Sequence, residues 1–216
     1  MSYLKRQKMP KSWPIPRKGT TYVVTPDSGL EKGLPLLIIL RDILKVAKNR
    51  NEAKKAVKSR SILLNGKEVL EEKSLICLFD SISIPSLKKH YKLILSEKSK
   101  FMLQEIGENE ALKKVYKVID RKMIKGKKMQ INLMDGRNVL SEIKVKVNDS
   151  VLFSFKENKI EKIIPFKENA KVIIFAGKHS GEKGIVNTIN HEKKLAEVNL
   201  GGKETKVLIK QLIVVE

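Results

Sequence analysis

The chain has 216 residues, 41% of them hydrophobic, and a formal net charge of +21, which allows one large domain or two to three small ones and makes a polyanion such as nucleic acid the first partner class. One cysteine, Cys77, excludes an internal disulfide and a cysteine-built metal cluster. The longest apolar run, LPLLIIL at 34–40, is too short to span a bilayer; the N-terminus is charged but lacks a signal peptide's apolar core, so the chain reads as cytosolic.

Residues 1–33 hold seven basic against two acidic residues and show neither helical nor strand periodicity. Pro10, Pro14 and Pro16 keep their neighbours extended, which predicts an extended basic arm that orders only when something binds it. From Leu34 the pattern changes. LPLLIILRDILKVAKN puts Pro35 at a permitted first-turn position, with Leu36, Leu37, Leu40, Ile43, Leu44 and Ala47 at helical spacing. A second helix is predicted from Asn51 to Ser59, capped by Asn51. SILLNGKEVL sets Asn65-Gly66 between apolar runs, a strong hairpin signal, and LICLFDSISI at 75–84 reads as one further strand. Two helices and a small sheet then make a compact module over 34–84.

Residues 85–167 alternate apolar and polar positions in short runs, which predicts a β-rich domain; one stretch, 109–118, is compatible with a helix. From Ala170 five short strand-like runs follow, two of them joined by Gly201-Gly202 as a two-residue hairpin. That pattern predicts a small SH3-like barrel over 168–216. The fold class is α+β, built from several modules.

The segment VIIFAGKHSGEKGIV at 172–186 places Gly177, Gly181 and Gly184 among lysines, so it has to be compared with phosphate-binding loops. A P-loop counted from Gly177 needs its second glycine where Glu182 stands, and its hydroxyl residue where Gly184 stands. The G-x-x-G of KH domains joins two helices, whereas a strand-like run follows here. A strand-turn-strand, with glycines supplying positive φ and close backbone approach, is the better reading.

Basic residues cluster in three places. In KNRNEAKKAVKSR at 48–60, Arg50, Lys54 and Lys58 form one helical stripe that Lys55 widens, while Ala53, Ala56 and Val57 fall on another side. Like charges at this spacing repel, so a phosphate-tracking surface competes with a merely solubilising one. Lys48 and Arg60 flank the stripe, Lys67 extends it across the hairpin, and Arg41 lies on the first helix. In DRKMIKGKK at 120–128, Arg121, Lys122, Lys125, Lys127 and Lys128 surround Gly126 in a predicted loop, with function and solubility both open. In the arm, Lys5, Arg6, Lys8, Lys11, Arg17 and Lys18 surround the only tryptophan, Trp13. That indole either stacks on a nucleotide or docks onto the protein's own surface.

Catalysis finds little support. Cys77 sits in an apolar run, and His90, His179 and His191 show no metal-ligand spacing. The reading is a binding protein with no enzymatic activity and no cofactor or metal.

The order of these features resembles the archaeal and eukaryotic ribosomal protein S-four-e family of the small subunit. LKRQKMPKSW is similar to the family's opening, LPLLIILRDIL to its first helix, and NRNEAKKAVKSRSILLNGKEV to the S-four RNA-binding motif. KVNDSVLF resembles a late strand of the central domain, and AGKHSGEKGIV resembles a KOW turn. The family often has paired glycines where this chain has Gly177-Lys178. The resemblance implies four parts: an N-terminal arm over 1–33, an S-four module over 34–84, a β-rich central domain over 85–167 and a KOW barrel over 168–216. It also implies a structural rRNA-binding component of the small ribosomal subunit, cytoplasmic and held in the ribosome, with neighbouring small-subunit proteins as partners, no membrane and no self-association. It assigns Arg50, Lys54, Lys55, Lys58, Arg60, Asn65 and Lys67 to RNA. Lys178, His179 and Lys183 remain candidate contacts to RNA or protein. No basic tail precedes the last residue, Glu216, which predicts the archaeal type. The rival readings are an RNA-modifying enzyme carrying an S-four module and a transcription elongation factor using a KOW domain.

Overall fold

A computed structural model describes residues 3–124, 129–141 and 143–215. The chain divides after Leu112 into two compact units.

In the first unit the N-terminal segment is folded. β1 (Leu4–Lys5) pairs with β2 (Tyr22–Val23), and Arg6–Lys8 form a 3-10 turn between them. Leu4, Met9, Trp13 and Val23 are buried, and the Ser12 carbonyl accepts from Phe101 N–H at 2.9 Å. The extended arm expected from the prolines is therefore a closed loop: its two ends pair as β1 and β2, and four apolar side chains spaced along it are buried. The Arg6 guanidinium fastens the loop by donating to the Pro16 and Thr20 carbonyls and to Thr20 Oγ1, each at 2.7 Å.

β3 (Gly33–Pro35) pairs with β6 (Leu75–Cys77) and leads into α1 (Leu36–Ile38), which widens into a π-helical turn over Ile39–Ile43. Pro35 lies just before the helix rather than in its first turn. The element is also shorter than predicted. Leu36 to Leu40 are all fully buried, so the segment is a core helix that is apolar all round, not an amphipathic one. α2 (Arg50–Lys58) follows, then β4 (Leu63–Leu64) and β5 (Lys67–Glu68) around the Asn65-Gly66 turn. Both turn residues have positive φ, 51° and 77°, as a two-residue hairpin requires. The single strand expected over 75–84 is two, β6 and β7 (Ser81–Ile84), because Phe79 turns the chain at φ 64°.

β8 (Lys89–Leu95), β9 (Phe101–Ile106) and the single-turn α3 (Glu108–Ala111) complete the unit. One antiparallel sheet runs β5-β4-β7-β8-β9, and the pairing of β7 with β8 carries it across the boundary expected at 84/85. The helix-compatible stretch at 109–118 is mostly strand from Lys113 onward.

In the second unit the eleven-residue β10 (Lys113–Met123) serves two neighbours. Its first half pairs with β13 (Ser150–Ser154) and its second half with β11 (Met129–Leu133), with a register shift between Val118 and Asp120. With β12 (Asn138–Ser141) and β14 (Lys159–Ile164) the order is β12-β11-β10-β13-β14. Tyr116, Val118, Ile131, Leu133, Val151 and Phe153 fill its core.

The last sheet contains β15 (Lys171–Ile174), β16 (Lys183–Asn190), β17 (Leu195–Leu200), β18 (Lys203–Leu208) and β19 (Leu212–Val214), in the order β18-β17-β16-β15-β19. Gly177 and Gly181 turn the chain between β15 and β16 at φ 96° and 95°. Gly184 sits where an added Cβ would lie 2.5 Å from the Asn199 carbonyl oxygen. The glycine-rich segment thus serves strand geometry, and no helix follows it. No described helix is long and apolar enough to cross a membrane.

Candidate nucleic-acid interface

α2 is set by its cap and by two buried residues. Asn49, not Asn51, is the cap: its side chain accepts from Glu52 N–H at 3.0 Å, while Glu52 accepts from Lys48 N–H at 2.7 Å. Ala53 and Val57 are buried, which fixes the helix rotation and leaves Arg50, Lys54, Lys55 and Lys58 exposed together with Lys48 and Lys67.

The stripe is not uniformly cationic. Arg50 donates to Glu72 at 2.8 Å, and Lys54 lies 3.7 Å from the same carboxylate oxygen. Burial alone would raise the Glu72 pKa. The Arg50 hydrogen bond, a backbone hydrogen bond and the charges of Lys54 and Arg50 outweigh it and hold the carboxyl below its ordinary value. Glu72 stands 22 residues from Arg50, and no local spacing announces it. Arg60 pairs with Glu68 at 3.2 Å, and Arg41 with Asp42 at 2.8 Å.

Asn65 is used inside the fold. Its amide donates to Asp80 at 2.7 Å and its carbonyl accepts from Ser81 N–H at 3.0 Å and Ser81 Oγ at 3.3 Å. These atoms hold the hairpin to the buried Asp80, so the fold already employs the side chain that the resemblance assigns to RNA.

The same holds for Trp13, which is 1% exposed and offers no face for stacking. Around it Lys5, Lys8, Lys11, Arg17 and Lys18 are exposed, and Arg17 also donates to the Met9 carbonyl at 3.0 Å. The aromatic rings that the folded loop does present are Tyr3 and Tyr22, 58% and 55% exposed.

In the second unit Arg121 and Lys122 are exposed within β10 rather than in a loop, and Arg121 donates to the Val145 carbonyl at 3.1 Å. Lys125, Lys127 and Lys128 lie outside the described residues. Lys178 is exposed on the turn before β16 and Lys183 is exposed as its first residue, and His179 faces Glu182 at 3.2 Å.

Comparison with known proteins gives this geometry a family. The model of Ribosomal family S4e matches residues 87–160, and that of the RS4NT (NUC023) domain matches residues 3–29. The small ribosomal subunit protein eS4 of Methanothermobacter thermautotrophicus is 36% identical over 220 aligned residues, 99% of this chain and 91% of the relative. The chain belongs to the S4e family of ribosomal proteins. The eS4 protein of Methanocella arvoryzae, 35% identical, covers 87% of this chain and 81% of its own length. The crystal structure of the 30S ribosomal protein S4e from Thermoplasma acidophilum shares the fold at a TM-score of 0.72 and 24% identity, over 83% of this chain and 93% of that one.

For this S4e chain, sequence reasoning ranked the cationic positions by local clustering. It missed Glu72 and the two tyrosines. Tyr22 had a faint signal: it alternates with the buried Val23 in TTYVV, the period of a half-buried strand.

Proposed function

We propose that this chain is a structural constituent of the small ribosomal subunit, and that it binds rRNA by phosphate and shape contacts without catalysing a reaction. The observation that carries this is the end-to-end likeness to a small ribosomal subunit protein, 99% of this chain against 91% of the relative. The exposed cations of the N-terminal loop and α2 supply the means, since phosphate neutralisation gives RNA affinity without reading base edges that an A-form groove hides. Within this reading, residues 34–84 act as the S-four module. Residues 168–216 form the KOW-type barrel, a reading supported by five antiparallel strands with a glycine turn between the first two. Neighbouring small-subunit proteins are its further partners, and the chain is of the archaeal type.

Sedimentation of the native protein in a sucrose gradient tests the proposal: co-migration with small subunits is expected, and a pool that is free or travels with RNA polymerase overturns it. The interface is tested by Lys55→Glu with Lys58→Glu. Reversing Arg50 or Lys54 would also set them against Glu72. The double variant is expected to melt like the parent and incorporate poorly into subunits. For about six neutralised phosphates, affinity for an rRNA fragment falls about a thousandfold between roughly 50 and 200 mM salt.

A further inference from the structure

The outward face of the N-terminal ribbon carries two aromatic rings and a lysine, within a segment rich in basic residues. In the β1–β2 pair, Leu4 faces Val23 and both are buried, while Lys5 faces Tyr22 and both are exposed. Tyr3 is exposed beside them. Its ring meets that of Tyr22 edge to face, with centroids 5.4 Å apart. Such contacts fix two rings relative to each other while leaving ring surface in water. Between Tyr3 and Pro26 the sequence has no acidic residue but six basic ones. Arg6, which fastens the loop, spends its hydrogen bonds on neutral oxygens and so keeps its charge undiminished.

We propose that this face is a stacking platform for an unpaired base of single-stranded RNA, with Tyr22 and Tyr3 as the stacking side chains and Lys5 on the adjoining phosphate. The proposal rests on the RNA-binding reading above and adds the kind of RNA: a loop, bulge or end rather than a helix. Aromatic rings on neighbouring strands beside cations are how proteins hold splayed bases. A platform for an acidic protein segment would need the lysines but not two ordered rings. The loop's closure by the β1–β2 pair and Arg6 sets the rings in place before RNA arrives, so little ordering entropy opposes binding.

The test uses the full-length chain with a fluorescent oligoadenylate of about eight nucleotides, a blunt RNA duplex and polyglutamate, followed by anisotropy across a salt series. Tyr22→Ala and Tyr3→Ala are expected to weaken oligoadenylate binding about tenfold or more each. Tyr22→Phe, which keeps the ring, should stay within about twofold of the parent. Duplex affinity and the salt slope should not move, because stacking releases no counterions. Both tyrosines are exposed, so the variants should unfold like the parent.

Alanine variants that hold oligoadenylate as well as the parent does overturn the platform. So does equal weakening toward polyglutamate, which would mark a general polyanion surface. A parent that binds duplex but not oligoadenylate overturns stacking and leaves the proposed function standing. A parent that binds neither RNA removes both.

Discussion

Lys117 lies within β10, 3% exposed, and its ammonium donates to the carbonyls of Ile209, in the turn before β19, and Leu212, the first residue of β19. Burial lowers its pKa from 10.5 to about 8, because a charge withdrawn from water is disfavoured. Unfolding returns the amine to its ordinary value. Between pH 8 and 10.5 the folded chain has released this proton while the unfolded chain still holds it, so stability rises with pH. Below pH 8 both states are protonated and this group contributes no slope. The gap between the two values corresponds to about 3 kcal/mol.

Lys117→Met abolishes that titration and leaves both carbonyls without their donor, a loss of a few kcal/mol. At pH 7 relief of the buried charge roughly offsets the loss. By pH 10.5 the offset is gone, and the variant's deficit relative to the parent should have grown by about 3 kcal/mol. Urea unfolding of both proteins, followed by circular dichroism from pH 7 to 10.5, measures it; the other lysines titrate in both and cancel in the difference. A difference constant to within about 0.5 kcal/mol across that range would refute the argument.

Asn65→Gly keeps the positive φ of the hairpin but deletes the bonds to Asp80 and Ser81, and should cost about 2–3 kcal/mol in urea unfolding; reduced RNA affinity at unchanged stability would return Asn65 to the interface. Gly184→Ala places a methyl group 2.5 Å from the Asn199 carbonyl oxygen and 2.6 Å from Val198 Cγ1. That overpacking should destabilise the chain by about 1–3 kcal/mol, and a melting temperature equal to the parent's would show that β16 and β17 have room to part.

What could be read from the sequence was what local chemistry decides. Asn65-Gly66 and Gly201-Gly202 turn where they must, because few residues accept positive φ, and α2 forms where Ala53 and Val57 recur at helical spacing. Contacts distant along the chain were not legible. The prolines of residues 1–33 point to an extended segment, yet Leu4, Met9, Trp13 and Val23 are each buried and β1 pairs with β2. Trp13 is the only tryptophan, and a large apolar ring in a segment with few other apolar residues is also its best anchor. A related contact spans 84/85: β7 and β8, on either side of the Pro85–Leu87 turn, are partners in one sheet.

The fold reorders the cationic surfaces. By sequence, α2 had the denser stripe. In the fold Glu72 takes up part of the charge of Arg50 and Lys54, and Glu68 faces Arg60, so the stripe's field is diluted at both ends and strongest around Lys55 and Lys58. The N-terminal loop has no acid in its own sequence from Tyr3 to Pro26, and its most constrained cation, Arg6, is bound only by neutral oxygens. Charge held rigidly and left unneutralised acts on a phosphate backbone more strongly than charge already shared with a carboxylate. Reversal of Lys5 should therefore weaken RNA binding more than reversal of Lys54, although Lys54 sits in the more conspicuous motif.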